Sequence, residues 1–253
     1  MPDIMRLIED MGSQKAERDE QYFNEIKAST PARIDIGRAG ARYKTKSMLA
    51  FLADQAAAAD AVFSQVSEET VKNLDLFEVQ TLCRNKQEMI KRPDLGRLFS
   101  KETQKIIYDR CVHDVDVEIY VGDGLSAPSV AANVPYILPT VTDGLKSRGY
   151  TVGTPFFVRY CRVNTVRTVA EVLRSKVTCV LIGERPGLVT DESMSAYIAY
   201  NAGYDMSESD YTVVSNINSK GMLPVEAADR IIRIIEQMFI QKTSGVNLNL
   251  SDL

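Results

Sequence analysis

Residues 177–182, Val-Thr-Cys-Val-Leu-Ile, constrain the fold more than any other stretch. A short apolar run rich in β-branched residues marks a strand buried on both faces, the kind found in parallel sheets covered by helices. Gly183-Glu184-Arg185-Pro186-Gly187 then ends the run abruptly. A carboxylate and a guanidinium are left at the strand's carboxyl end, where open α/β sheets bind ligands.

Three other runs read the same way. Residues 115–121 stop at Gly122-Asp123-Gly124-Leu125-Ser126, residues 156–163 end in Cys161-Arg162-Val163-Asn164, and residues 211–217 end in Ser-Asn-Ile. Helix-like segments lie between them. The spacing predicts crossover helices over 164–175 and over 192–200, the second with Asp191 as N-cap, and an amphipathic helix over 224–242. Pro128 suits a first helical turn, whereas Pro135 and Pro139 imply a kink or two short helices between 126 and 147. The expected fold class is α/β: a mostly parallel, Rossmann-like sheet flanked by helices over 111–253. Four polar strand ends on one edge would form one cleft.

The rest of the chain differs. Residues 30–110 read mainly helical. Thr30-Pro31 and Ser67-Glu68-Glu69-Thr70 resemble helix starts, and the alanine-rich stretch 46–62 has helical spacing suited to close packing. Gly37 and Gly40 mark a loop. Over residues 1–29, Ile4, Leu7, Ile8 and Met11 share one helical face, followed by a charged, solvated tether. The expected domains are therefore 1–29, 30–110 and 111–253.

Bulk properties exclude several classes. A formal net charge of −4 gives no electrostatic footprint for nucleic acid. No apolar run approaches the ~20 residues of a membrane span, and no signal peptide opens the chain, so a cytoplasmic protein is expected. The four cysteines form no CxxC pair and read as reduced, buried thiols rather than a metal site. With His113 the only histidine, a catalytic triad or a histidine-rich metal centre has little to work with, and no nucleophile–base pair is readable. No catalytic residue and no metal ligand is assigned.

Gly122-Asp123-Gly124-Leu125-Ser126-Ala127 fits the glycine-rich dinucleotide pattern, but the next strand ends at Arg162 instead of the acid that would hold a ribose. The turn reads better as one that lets backbone approach a bulky ligand, with Asp123 as an acceptor. Glu184 is either a strand-end ion pair with Arg185 or Arg162, or a fixed acceptor facing a ligand. Arg33, Arg38, Arg42, Arg92 and Arg97 are either solvated surface or an interface that pairs with a partner's carboxylates.

Several blocks together carry a resemblance: residues 30–34 with 37–42, Arg92-Pro93-Asp94-Leu95-Gly96-Arg97, Gly122-Asp123-Gly124-Leu125-Ser126, residues 182–188, Ser215-Asn216-Ile217 and Gln241-Lys242-Thr243-Ser244-Gly245-Val246-Asn247. In order and content they resemble the small subunit (light chain) of ethanolamine ammonia-lyase. The resemblance implies a lyase subunit that is inactive alone, with adenosylcobalamin as cofactor and a TIM-barrel large subunit as partner. It also implies a place inside a bacterial microcompartment, reached by docking of the N-terminal helix to the shell. It puts Glu184 and Val163, preceded by Arg162, at cobalamin-contacting positions. A third family contact, a cysteine, falls on Val213, or on Val214 if the gap is placed otherwise. The alternative class is a free-standing nucleotide-binding α/β enzyme; a third is a scaffold without ligand contact.

Overall fold

The computed structural model describes residues 20–30 and 32–251. The chain divides between Gln55 and Ala56 into two compact units.

In the first unit, helix α1 covers residues 20–29. The stretch expected to be a tether is thus helical in its described part, while Ile4, Leu7, Ile8 and Met11 lie outside the described residues. A short hairpin follows, β1 Arg38–Ala39 against β2 Arg42–Tyr43. Gly37 and Gly40 take positive φ values of 75° and 65° at its approach and turn, so the expected loop is there. No helix starts after Thr30: its hydroxyl accepts the Ala32 N–H at 3.2 Å, a local turn, and residues 33–37 are irregular. Helix α2, Thr45–Phe63, begins in this unit and continues into the second, and it buries only Ala61. Leu49 and Leu52 are exposed, so its alanine-rich stripe is not packed among the described residues.

The second unit continues with α3 Glu68–Asn73, whose N-cap Ser67 accepts the Thr70 N–H as expected. A six-stranded sheet then forms from β3 Phe77–Gln80, β4 Val117–Gly122, β5 Phe156–Arg159, β6 Val177–Gly183, β7 Met194–Tyr200 and β8 Thr212–Ile217, in the order β3-β5-β4-β6-β7-β8. The first four strands in that order run parallel, and β7 runs antiparallel to both its neighbours. All seven residues of β6 are buried, as the apolar run requires. Helices α6 Ala127–Ser147 and α8 Pro224–Gln241 cover one face, packing on Val117, Ile119, Val121 and Leu181. Helices α5 Lys101–Arg110 and α7 Thr165–Leu173 cover the other, against Tyr120, Phe156 and Val180. A shorter helix, α4 Lys86–Lys91, lies between β3 and α5 in the chain. All four cysteines are free and buried. No helix among the described residues is long and apolar enough to cross a membrane.

One expectation is overturned and two are refined. β3 arises within the stretch expected to be mainly helical and forms one edge of the sheet. Residues 192–200 are not a helix: seven of them form β7, and the Asp191 carbonyl accepts the Ser126 hydroxyl instead of Asp191 capping anything. A short apolar run fits either period, and here the open pairing edges of β6 and β8 decide it. Helix α6 is one continuous helix through Pro135 and Pro139, so of the two alternatives the pair of short helices fails. Ala131 and Pro135, whose carbonyls lose their helical donors, lie on the exposed side where water can replace them, while Val134, Ile137, Leu138 and Val141 hold the buried face.

Candidate functional site

The carboxyl ends of β4, β5 and β6, with Ser195 and Tyr197 of β7 and Val213 and Ser215 of β8, enclose a cleft of about 480 Å³. Arg162, Val163, Glu184 and Val213, the positions the resemblance points to, all line it. Of the two valines left open, Val213 faces the cleft and is exposed, whereas Val214 is buried against α6 and α8. Successive strand residues face opposite sides of a sheet, so only one could do so.

Glu184 is held by its neighbours rather than by a cation. Its N–H donates to the Ser193 carbonyl at 2.9 Å. Its carboxylate accepts the Ser193 hydroxyl at 2.6 Å, the Ser195 hydroxyl, and the Asn216 N–H at 2.9 Å. Asn216 reaches it from a left-handed conformation, φ 59°, which asparagine tolerates. Glu184 forms no ion pair with Arg185 or Arg162 among the described residues, so the ion-pair reading fails. A carboxylate offers about four acceptor positions; three are filled, and one remains on Oε2.

Arg162 follows Tyr160, itself left-handed at φ 55°. Its N–H donates to the Gly96 carbonyl at 2.9 Å, and its Nη2 donates to the Met89 carbonyl at 2.9 Å. Its Nε is buried without a partner. Burial pulls the guanidinium below the usual arginine value, and the positive charge of Arg97 adds to that. Gly96, from the Arg-Pro-Asp-Leu-Gly-Arg block, has a structural task here. A Cβ on it would lie 2.8 Å from Arg162 Cγ and 3.1 Å from the Tyr160 carbonyl oxygen. Gly96→Ala is therefore expected to destabilise the fold by about 1–2 kcal/mol, read by urea unfolding, because Arg162 has to move.

The glycine turn after β4 serves a purpose other than the expected one. Asp123 faces no ligand: it is wholly buried and pairs with Lys86 at 2.8 Å. Burial raises its pKa, and the Lys86 charge offsets part of the rise. The Leu125 N–H is taken by the Gly183 carbonyl at 3.0 Å and the Ser129 N–H by the Ser126 hydroxyl at 3.1 Å. Donors committed this way cannot cradle a pyrophosphate, which counts against the nucleotide-binding alternative. The glycines instead let neighbours close in, the Gly183 backbone and the Ile182 side chain on Gly124 and the Cys161 side chain on Gly122. A Cβ on Gly124 would meet Ile182 Cγ1 at 2.5 Å, and one on Gly122 would meet Cys161 Sγ at 2.8 Å.

Of the other arginines, Arg33 pairs with Asp54 and Arg92 with Asp94, while Arg38 lies over the Tyr43 ring. His113 stacks on Tyr108, away from the cleft. Lys86, Ser193, Ser195 and Tyr197 escaped the sequence reading. The serines and Tyr197 were hidden by the helical expectation for 192–200, although Ser195 and Tyr197 alternate with Ala196 and Ile198 as a strand requires. Lys86 carries no comparable signal.

Known proteins resemble this chain over nearly all of its length. Residues 20–249 match the family model described as ethanolamine ammonia-lyase light chain. A protein of Clostridium acetobutylicum named ethanolamine ammonia-lyase small subunit is 52% identical over 231 residues, 91% of this chain and 96% of the relative. Proteins of the same name from Clostridium perfringens and Clostridioides difficile are 50% and 47% identical, over 91% and 92% of this chain and 78% and 80% of theirs.

Proposed function

Because this chain belongs to the ethanolamine ammonia-lyase light chain family, and so is the small subunit of a lyase complex, we propose that its cleft forms one wall of an adenosylcobalamin site completed by the large subunit. The observation that carries the reading is the convergence of Arg162, Val163, Glu184 and Val213 on one cleft with unspent hydrogen-bonding capacity. Glu184 Oε2 keeps one free acceptor position, and the Arg162 guanidinium, its Nε buried, brings positive charge to the same wall. Val163, Val213 and Ile182 supply apolar surface between them. Such a mixture suits a corrinoid, whose apolar macrocycle bears amides and a phosphodiester tail.

The cleft takes only part of so large a molecule, so a second surface must enclose the rest. In this reading the partner is a TIM-barrel chain that holds ethanolamine. The cofactor, once bound, supplies the homolytic cobalt–carbon chemistry that converts ethanolamine to acetaldehyde and ammonia. This chain's residues bind, orient and exclude water: Glu184 fixes a donor group, Arg162 meets an acceptor, and the valines pack on the apolar part. None of them touches the substrate, and the chain alone is inactive.

Glu184→Ala is the test. Losing one charge-assisted hydrogen bond, about 1.5–3 kcal/mol, is expected to weaken adenosylcobalamin binding to the assembled complex by roughly ten- to a hundredfold. Turnover at saturating cofactor should change little. Equal cofactor affinity in variant and wild type rejects the role.

Residues 1–29 are proposed to direct the complex into a microcompartment shell through the stripe Ile4, Leu7, Ile8 and Met11. A reporter fused to residues 1–25 should then gather with shells in a shell-forming cell, and even dispersal would refute it.

A further inference from the structure

Lys86 opens α4, with Asn85 as its N-cap, and is almost wholly buried. Its Nζ donates to Asp123 Oδ1 at 2.8 Å and to the Gly124 carbonyl at 2.6 Å. Asp123 is fixed at its backbone too, donating to the Val158 carbonyl at 2.9 Å and accepting the Cys161 N–H at 3.0 Å. The ammonium is thus bonded directly to Gly124, which lines the cleft. The same short segment reaches the cleft a second time, because the Met89 and Gly96 carbonyls hold Arg162.

Burying an ammonium and a carboxylate is costly, and an apolar pair of similar volume often stabilises a fold as well or better. Stability alone therefore does not explain a lysine here. The contact an apolar residue could not replace is the one to the Gly124 carbonyl.

We propose that Lys86 is a positioning residue of the cleft: it locks the Gly124 turn to α4, so that this turn and Arg162 are held in one fixed relation before a ligand arrives. The proposal rests on the cofactor reading above. Lys86 itself touches no ligand. Its effect comes from preorganisation, since a site loosened by about 1 Å loses much of its binding.

The test uses the complex assembled with the large subunit and compares adenosylcobalamin titrations with thermal unfolding. Lys86→Met leaves Asp123 buried and unpaired, so both melting temperature and affinity should fall. In Lys86→Met/Asp123→Leu the orphaned carboxylate is gone. Melting should recover while affinity stays about tenfold or more below wild type. Should that double variant fail to assemble, Lys86→Arg decides. It keeps the charge beside Asp123, but its guanidinium is larger and planar where a compact ammonium fits, so the Asp123 and Gly124 contacts cannot both keep their present geometry. Weakened binding at unchanged turnover under saturating cofactor supports positioning; wild-type affinity overturns it. A double variant that regains full affinity likewise overturns it, reducing Lys86 to a counter-ion. A wild-type complex that bound no adenosylcobalamin would remove the cofactor reading and this one with it, whereas tight wild-type binding beside an unaffected double variant removes the role of Lys86 alone.

Discussion

Gly183→Ala is expected to cost about 3 kcal/mol of folding stability, which for a chain of this size lowers the melting temperature by about 10 °C. Gly183 ends β6 where that strand passes under the start of α6. A Cβ there would overlap the Ser126 carbonyl oxygen and lie 2.6 Å from Ser129 Oγ. Neither neighbour can yield easily. Ser126 is the N-cap of α6, and its carbonyl accepts the Ser129 hydroxyl at 2.8 Å. The Gly183 carbonyl is also committed, to the Leu125 N–H. Gly124→Ala strikes the same crossing from the other side, so the two substitutions together should cost less than their sum. Urea unfolding of both singles and the double measures this. A Gly183→Ala protein as stable as wild type would mean that the crossing is looser than it stands here. Because Glu184 follows directly, the variant should also weaken the cleft's ligand binding.

Glu118→Gln is expected to stabilise the protein, increasingly so as pH rises. Glu118 lies within β4, wholly buried, and neither carboxyl oxygen has a hydrogen-bond partner. Burial pushes its pKa well above the usual carboxylate value, and the adjacent Ile119 N–H offsets little of this. No cation among the described residues pairs with it. The neighbouring titratable group is the Cys111 thiol, pushed up to about 12 by burial first and by Glu118 second. The folded state therefore holds a proton that the unfolded chain releases near its ordinary value. Below that ordinary value both states are protonated and the penalty vanishes. Above it, stability falls by about 1.4 kcal/mol per pH unit until the folded-state pKa is reached. A neutral glutamine of the same size escapes the loss. Unfolding free energies of the two proteins should thus converge near pH 4 and diverge between pH 5 and 7. A difference independent of pH would show that Glu118 is not held protonated.

The site was more legible than its supports. Glu184 and Arg162 could be singled out because each stands where an apolar run is cut short by glycine or a polar cluster, a local pattern, whereas Val163 rested on the family resemblance. That Val213 rather than Val214 meets them is a matter of register, which one residue of slip reverses. Asp123 misled because a carboxylate between two glycines at a strand end looks the same whether it meets a ligand or a lysine thirty-seven positions earlier in the chain. The Ser193 and Ser195 hydroxyls that hold Glu184 belong to a strand whose composition also suits a helix.

Sequence by itself determined the class of fold, the extents of β6, α7 and α8, and the family. These rest on interactions between near neighbours: β-branched runs, helical periodicity and turn residues act within a few positions, and motif order survives without coordinates. Only the tertiary structure decided that residues 194–200 pair as a strand, that α6 bridges two prolines, that the glycines serve backbone crossings, and that Lys86 and Asp123 meet inside the fold. Each depends on which distant segment offers an edge, a carbonyl or a counter-charge, and that is fixed only when the chain has packed.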